Sequence, residues 1–191
     1  MEQGIGNKGI ILACNHRSNN VAENDYYATE PIAMEKLCDV FKFNHYIWEP
    51  ACGEGHLSKV LEARGYDVIS TDLIDRGYSK YEPMDFLQCD ETDLREDIVT
   101  NPPYKFANEF LKKALDVICD GYHVALFLKL TFVSSKGRKK LFQNFPPKQI
   151  YVFSERIECA KNGKFQGKRG VDYAWFIWQK GWKGITTLRW L

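Results

Sequence analysis

From Thr29 onward, apolar and polar positions settle into short apolar runs alternating with longer amphipathic stretches. Pro31-Ile32-Ala33-Met34-Glu35-Lys36-Leu37 predicts a helix, with proline suited to its first turn. Tyr46-Ile47-Trp48 predicts a strand ending at Glu49. The turn Cys52-Gly53-Glu54-Gly55 then leads into a helix that carries Leu57, Val60 and Leu61 on one face and stops at Gly65. Val68 to Thr71 predicts the next strand, ending at Asp72, and Met84 to Leu87 a short strand or loop edge. Asp97-Ile98-Val99-Thr100 predicts a strand running straight into Asn101. Phe106 to Cys119 has helical periodicity, and His123 to Leu130 is apolar enough for a buried strand. Ser135 to Asn144 predicts a basic helix stopped by Pro146-Pro147, and Gln149 to Phe153 a strand. A Gly/Lys loop over residues 156–171 precedes a last aromatic strand, Tyr173 to Gln179.

Strands alternating with helices argue for an α/β fold around a mostly parallel sheet. Ligands of such sheets bind outside the carboxyl ends of the strands, where the strand order reverses. Glu49, Asp72, Asp85 and Asn101 all fall at or near predicted strand ends. Residues 1–25 are Gly/Asn-rich without periodicity, which predicts a flexible arm before a single domain over residues 26–191.

Composition narrows this picture little. The chain has 191 residues, 45% of them hydrophobic and 27% charged, as in ordinary soluble domains. It has no apolar run of membrane-spanning length and no basic-then-apolar leader, so a cytoplasmic location and no membrane partner are expected. Six cysteines without a Cys-x-x-Cys pair read as reduced thiols. Cys14, His16 and Cys38 have poor ligand spacing and lack a fourth partner, so no metal site is expected. Charge changes the picture more. Residues 1–100 carry 9 Lys and Arg against 19 Asp and Glu, and residues 101–191 carry 17 against 6. A basic second half suits a polyanion as well as a solvated surface.

The glycine turn lets backbone approach a ligand closely and sets a helix N-terminus there. Glu49 and Glu54 make that turn acidic, which repels a pyrophosphate but suits a cofactor bearing a sulfonium and an ammonium. Asp72 at a strand end can accept both hydrogens of a ribose diol. Asp85 could accept an exocyclic amino hydrogen of adenine, with Phe86 packed on its ring; alone, the pair reads equally as a turn residue and core. Asn101-Pro102-Pro103-Tyr104 could be a plain strand-to-helix turn. It also suits the methylation of a planar amine. The lone pair of such an amine is delocalised, and accepting both amine hydrogens on Asn101 Oδ1 and the Pro102 carbonyl helps free it for in-line attack. Tyr104 supplies a ring for stacking on a base turned out of its helix.

In order and spacing, the segments Ala28-Thr29-Glu30-Pro31, Glu49-Pro50-Ala51-Cys52-Gly53-Glu54-Gly55, Asp72-Leu73, Asp85-Phe86-Leu87 and Asn101-Pro102-Pro103-Tyr104 resemble the S-adenosylmethionine-dependent adenine-N6 DNA methyltransferases whose cofactor motif precedes the catalytic one. The resemblance covers roughly residues 25–180. It implies a class I methyltransferase, Rossmann-like sheet of seven strands, mostly parallel, with a reversed final strand at Tyr173 to Gln179. It implies S-adenosyl-L-methionine as cofactor, with Thr29 and Glu49 at its methionine end. Pro31, Ala51, Cys52, Gly53 and Gly55 would lie beside it, with Asp72 and Leu73 at the ribose, Asp85 and Phe86 at the adenine, and Asn101 at the methyl. It implies Asn101, Pro102, Pro103 and Tyr104 as the catalytic segment, with Phe165 or Trp175 helping to hold the base.

Only 12 residues follow Gln179, too few for a target-recognition domain. Contact with nucleic acid, DNA first, is therefore expected from local loops, from a homodimer or from a separate specificity subunit. The candidate loops are Lys136-Gly137-Arg138-Lys139-Lys140 and Lys161 to Arg169, the latter with Lys164, Lys168 and Arg169 as substrate-binding residues. Methylation of RNA or of a protein glutamine amide shares this chemistry. Cytosine N4 enzymes more often carry Ser in place of Asn, and cytosine C5 chemistry needs a Pro-Cys dipeptide, which does not occur here. From another class, a non-catalytic nucleic-acid-binding subunit could keep the fold, although such subunits tend to lose residues like Asn101, Asp72 and Asp85.

Overall fold

A computed structural model describes residues 26–167 and 169–191. The expected arm over residues 1–25, with Cys14 and His16, lies outside the described residues, as does Lys168. The chain opens with a short strand β1 (Tyr27–Thr29), and Pro31 begins the helix α1 (Ile32–Val40). β2 (Tyr46–Glu49), α2 (His56–Ala63) and β3 (Asp67–Ser70) follow as the apolar spacing predicts. The predicted edge at Met84 to Leu87 is instead a 3-10 turn, Phe86–Gln88, because Asp85 caps it by accepting the Leu87 N–H at 3.0 Å. Next come β4 (Asp97–Thr100), α3 (Ala107–Val117), β5 (His123–Lys129) and α4 (Lys139–Asn144). The last strands are β6 (Gln149–Val152), β7 (Cys159–Lys161), β8 (Tyr173–Gln179) and β9 (Thr187–Trp190).

Seven strands form one sheet in the order β3-β2-β4-β5-β8-β6-β9. β8 runs antiparallel to both of its neighbours, and every other adjacent pair is parallel. The reversed strand is thus where the resemblance puts it, but it is not the final one: β9 follows and adds to the edge beside β6. Both faces of the central strands are covered, as in parallel sheets generally. Along β8, Ala174, Phe176 and Trp178 pack on one side with Phe110 and Leu111 of α3. Tyr173, Trp175 and Ile177 pack on the other with Met34 and Leu37 of α1 and Leu57 and Leu61 of α2. This period-two split follows from the pleat.

Strand order reverses between β2 and β4, so a crevice opens at their carboxyl ends, where Glu49 and Asn101 sit. The buried Asp97 anchors the opposite end of β4. It accepts the Asn44 N–H at 2.7 Å, the Asn44 side chain at 2.9 Å and the His123 N–H at 2.7 Å. β1 and β7 form a separate two-stranded ribbon, pairing Thr29 with Cys159 and Tyr27 with Lys161. Neither strand is legible from three residues of sequence. No helix among the described residues is long and apolar enough to cross a membrane.

Candidate functional site

The ribbon clamps the side chain of Asn101. Its Nδ2 donates to the Tyr27 carbonyl at 2.9 Å and to Thr29 Oγ1 at 2.9 Å, and lies 3.5 Å from Cys159 Sγ. A carbonyl can only accept, so these contacts fix which end of the amide is nitrogen. Oδ1 therefore faces the other way, and it is buried with no hydrogen-bond partner. An orphaned acceptor in a folded core is costly unless something else donates to it. Next to it, Pro102 is buried and carries no N–H, and no donor among the described residues pairs with its carbonyl. Tyr104 begins a 3-10 turn, Tyr104–Phe106, that leads into α3. Its hydroxyl lies 3.3 Å from Cys159 Sγ, and its ring sits 6.1 Å from that of Tyr173 and 6.3 Å from that of Tyr27. Burial pushes both the Tyr104 phenol and the Cys159 thiol up, so both stay protonated at neutral pH.

On the β2 side the glycine turn is held from above and below. Gly53 and Gly55 have φ of +56° and +76°, a region that favours glycine. A Cβ on Gly53 would lie 2.1 Å from the Tyr26 ring, and one on Gly55 2.4 Å from the Tyr78 ring. The Asp72 carboxylate ties the turn after β2 to the turn after β3, accepting the Gly53 N–H at 2.8 Å and the Ile74 N–H at 3.0 Å. Each oxygen keeps a further lone pair for an outside donor. Glu49 is 1% exposed and accepts from the Ser58 hydroxyl, which lies 2.6 Å from the Ser70 hydroxyl. Burial pushes the Glu49 carboxyl up to about 8, and the nearby Asp72 charge adds to the shift. Burial also raises Asp72, against the two backbone N–H groups that it accepts. Cys52 is buried below this turn, Ala51 is half-buried, and Leu73 is 48% exposed beside Asp72. Pro31 lies at the start of α1, two residues beyond Thr29.

The structure brings together Thr29, Glu49, Gly53, Asp72 and Asn101 around the strand-order reversal. Other expected residues fall elsewhere. Trp175 is fully buried on β8, and its Nε1 donates to the Ala33 carbonyl at 2.9 Å; it is core rather than a base holder. The Phe86 ring is 2% exposed and packs with Trp48 and Phe110 at 5.1 and 5.0 Å, as core. Phe165 lies beside His56 at 5.5 Å, near the glycine turn rather than Tyr104. Arg169, its side chain still half exposed, pairs with Glu30 at 2.8 Å. Glu30 also accepts the Glu158 N–H at 3.0 Å, and Glu158 accepts the N–H groups of Gln166 and Gly167 at 2.7 and 2.9 Å. These carboxylates fold the loop back toward the glycine turn, where Gly163 abuts the Glu54 carboxylate. Lys164 sits exposed in that loop.

Sequence reasoning missed the Tyr27 carbonyl, Cys159, Ser58, Tyr26 and Tyr78. A serine on the same helix face as Leu57 and Leu61 was a readable sign of a buried polar contact for Ser58. A backbone carbonyl has no side-chain signature.

The sheet is that of class I methyltransferases, as comparison with solved structures shows. A protein of Listeria monocytogenes named as a class I S-adenosylmethionine-dependent methyltransferase superposes with a TM-score of 0.50 at 14% identity over 83% of this chain. The chain spans 62% of that protein's length. A Pyrococcus horikoshii protein named as an RNA methyltransferase gives a TM-score of 0.56 at 16% identity, covering 78% of this chain and 81% of its own. A modification subunit of a type I restriction enzyme from Vibrio vulnificus gives 0.55 at 15% identity, covering 87% of this chain and 46% of its own. No protein-family model and no curated protein matches the sequence.

Proposed function

We propose that this chain transfers a methyl group from S-adenosyl-L-methionine to the N6 amino group of adenine in DNA. The observation that carries this reading is the buried, unpaired Oδ1 of Asn101, whose orientation is imposed from behind by the Tyr27 carbonyl and Thr29. Such an acceptor matches one hydrogen of a planar amine, and the Pro102 carbonyl beside it matches the other. With both hydrogens held, the amine pyramidalises and its lone pair becomes available. The proton is lost after attack, so no strong base is needed, and positioning and electrostatics supply the rate.

The residues around the glycine turn fit the cofactor. Asp72 has acceptor capacity left for a ribose diol, Leu73 is exposed for an apolar contact, and Asp85 would accept from the adenine amino group. Glu49 and Thr29 would hold the methionine end. When bound, the cofactor supplies an electrophilic methyl on a sulfonium, a cation that the acidic turn favours. Tyr104 offers ring surface to the target base. The Listeria and Vibrio neighbours are consistent with this chemistry, and the Pyrococcus neighbour keeps RNA as an alternative substrate.

The test is incubation with radiolabelled cofactor and DNA, RNA or protein, followed by identification of the methylated atom. N6-methyladenine in DNA is expected. Label on a glutamine amide would overturn the substrate, and no transfer to any acceptor would overturn the reading itself.

A further inference from the structure

Three 3-10 turns converge on the Tyr104 side of the crevice: Tyr104–Phe106 after β4, Leu130–Val133 after β5, and Lys136–Arg138 before α4. Each sets a cation over an aromatic ring. Lys105 Nζ lies 5.5 Å from the Phe106 centroid, Lys129 Nζ 5.2 Å from that of Tyr104, and the Arg138 guanidinium 4.1 Å from that of Phe132. A hollow of 70 Å³ joins Tyr104 to Lys129, Phe132 and Arg138. Phe106 is 42% exposed. Residues 101–148 contain 9 Lys and Arg against 3 Asp and Glu, an excess that solvates well but also draws a polyanion. Among the described residues, Lys105, Lys129, Lys136, Arg138, Lys139 and Lys140 form no ion pair, and Arg138 donates only to Asn108 Oδ1 at 3.2 Å. The loop expected to bind phosphate is differently disposed: Arg169 pairs with Glu30, and the loop leans toward the acidic turn.

We propose that this shelf grips the backbone of a nucleic-acid strand on either side of the methylated base. Lys129 and Arg138 take flanking phosphates, and Phe106 stacks on the neighbouring base. The proposal rests on reading Asn101–Tyr104 as the methyl-acceptor site. An exposed aromatic, Phe106, set among cations that form no ion pair is a surface that unpaired strands prefer, because every base offers a π-face and the backbone follows the charges. The shelf therefore binds single strands more tightly than duplex, where stacking on Phe106 first requires a base to leave the helix.

The experiment is fluorescence anisotropy of the full chain with a labelled oligonucleotide, single-stranded and duplex, across a salt series and without cofactor. The K129Q/R138Q double variant should weaken binding by roughly tenfold or more at low salt and lower the slope of log affinity against log salt by about two. F106A should weaken single-strand binding by roughly tenfold while leaving the slope unchanged. R138K keeps the charge and should keep the slope, which separates phosphate contact from the Asn108 bond. K164Q/R169Q should bind like the parent. An unchanged slope in K129Q/R138Q, loss of binding in K164Q/R169Q instead, or tighter binding to duplex would each overturn the proposal. Binding losses as expected, with methyl transfer only to a protein amide, would leave the shelf standing and remove adenine as the acceptor.

Discussion

The two flanks of Asn101 are built from opposite materials. Toward β2 the groups are acidic, buried and bonded in advance: Glu49 to Ser58, and Asp72 to the Gly53 N–H. Toward α3 and α4 they are basic and form no ion pair among the described residues, with the exposed Lys105 and Lys129 and the half-buried Arg138 resting on aromatic rings. Buried acidic groups that already hold donors act at contact range, Asp72 through charge and Glu49, with its carboxyl pushed up to about 8, through hydrogen bonding. Exposed cations act through the screened field and select little beyond the sign of charge. On the proposed function, the difference teaches that one crevice would keep a cationic cofactor and a polyanion apart without a wall between them.

The largest effect should come from removing the atom between the flanks. Asn101→Ala is expected to abolish methyl transfer while calorimetry shows cofactor affinity retained. Asp72→Ala should do the reverse in order: cofactor affinity falls about ten- to a hundredfold, the range for hydrogen bonds to a charged group, and activity follows it down. If both variants lost affinity equally, the division of labour would be broken.

A second expectation concerns pH. Glu49 is pushed up to about 8 from an ordinary 4.5, so the folded chain holds this proton more tightly than the unfolded chain. Its contribution to stability is present at low pH and falls away as pH rises from 4.5 through 8. Glu49→Gln should remove that slope. Urea unfolding should then give similar midpoints for variant and parent near the bottom of this range and a higher midpoint for the variant above it. A parent midpoint that does not fall over the range would contradict the buried assignment. The smallest effect is expected for Thr29→Val. It loses one neutral hydrogen bond behind Asn101, about 1 kcal/mol, or several-fold in rate, with little change in cofactor affinity.

What the sequence made legible is what strand ends and periodicity encode. β2, β4, β5 and β8 are apolar on both faces, and the carboxylates and Asn101 that terminate strands fell where parallel-sheet logic puts them. The misread residues fail for reasons of the same kind. Trp175 looked like a base holder because aromatic residues suit that role, but on β8 it shares parity with Tyr173 and Ile177 and so points into the core under α1. From sequence Phe86 reads equally as ring partner or as core, and its contacts with Trp48 and Phe110 make it core. Arg169 looked free because its partner Glu30 is 139 residues away. β9 escaped notice because all four of its residues are exposed and no buried alternation marks it.

The ribbon of β1 and β7 has a temporal consequence. Asn101 is oriented by Tyr27 and Thr29, more than 70 residues before it, and by Cys159, 58 residues after it. A chain emerging from synthesis can complete β2 to β5 and still leave that amide free to rotate until Cys159 arrives. Were the two-stranded ribbon to open while the seven-stranded sheet stays intact, Asn101 would lose the groups that orient it. Amide hydrogen exchange at Tyr27 to Thr29 would report how often that opening occurs.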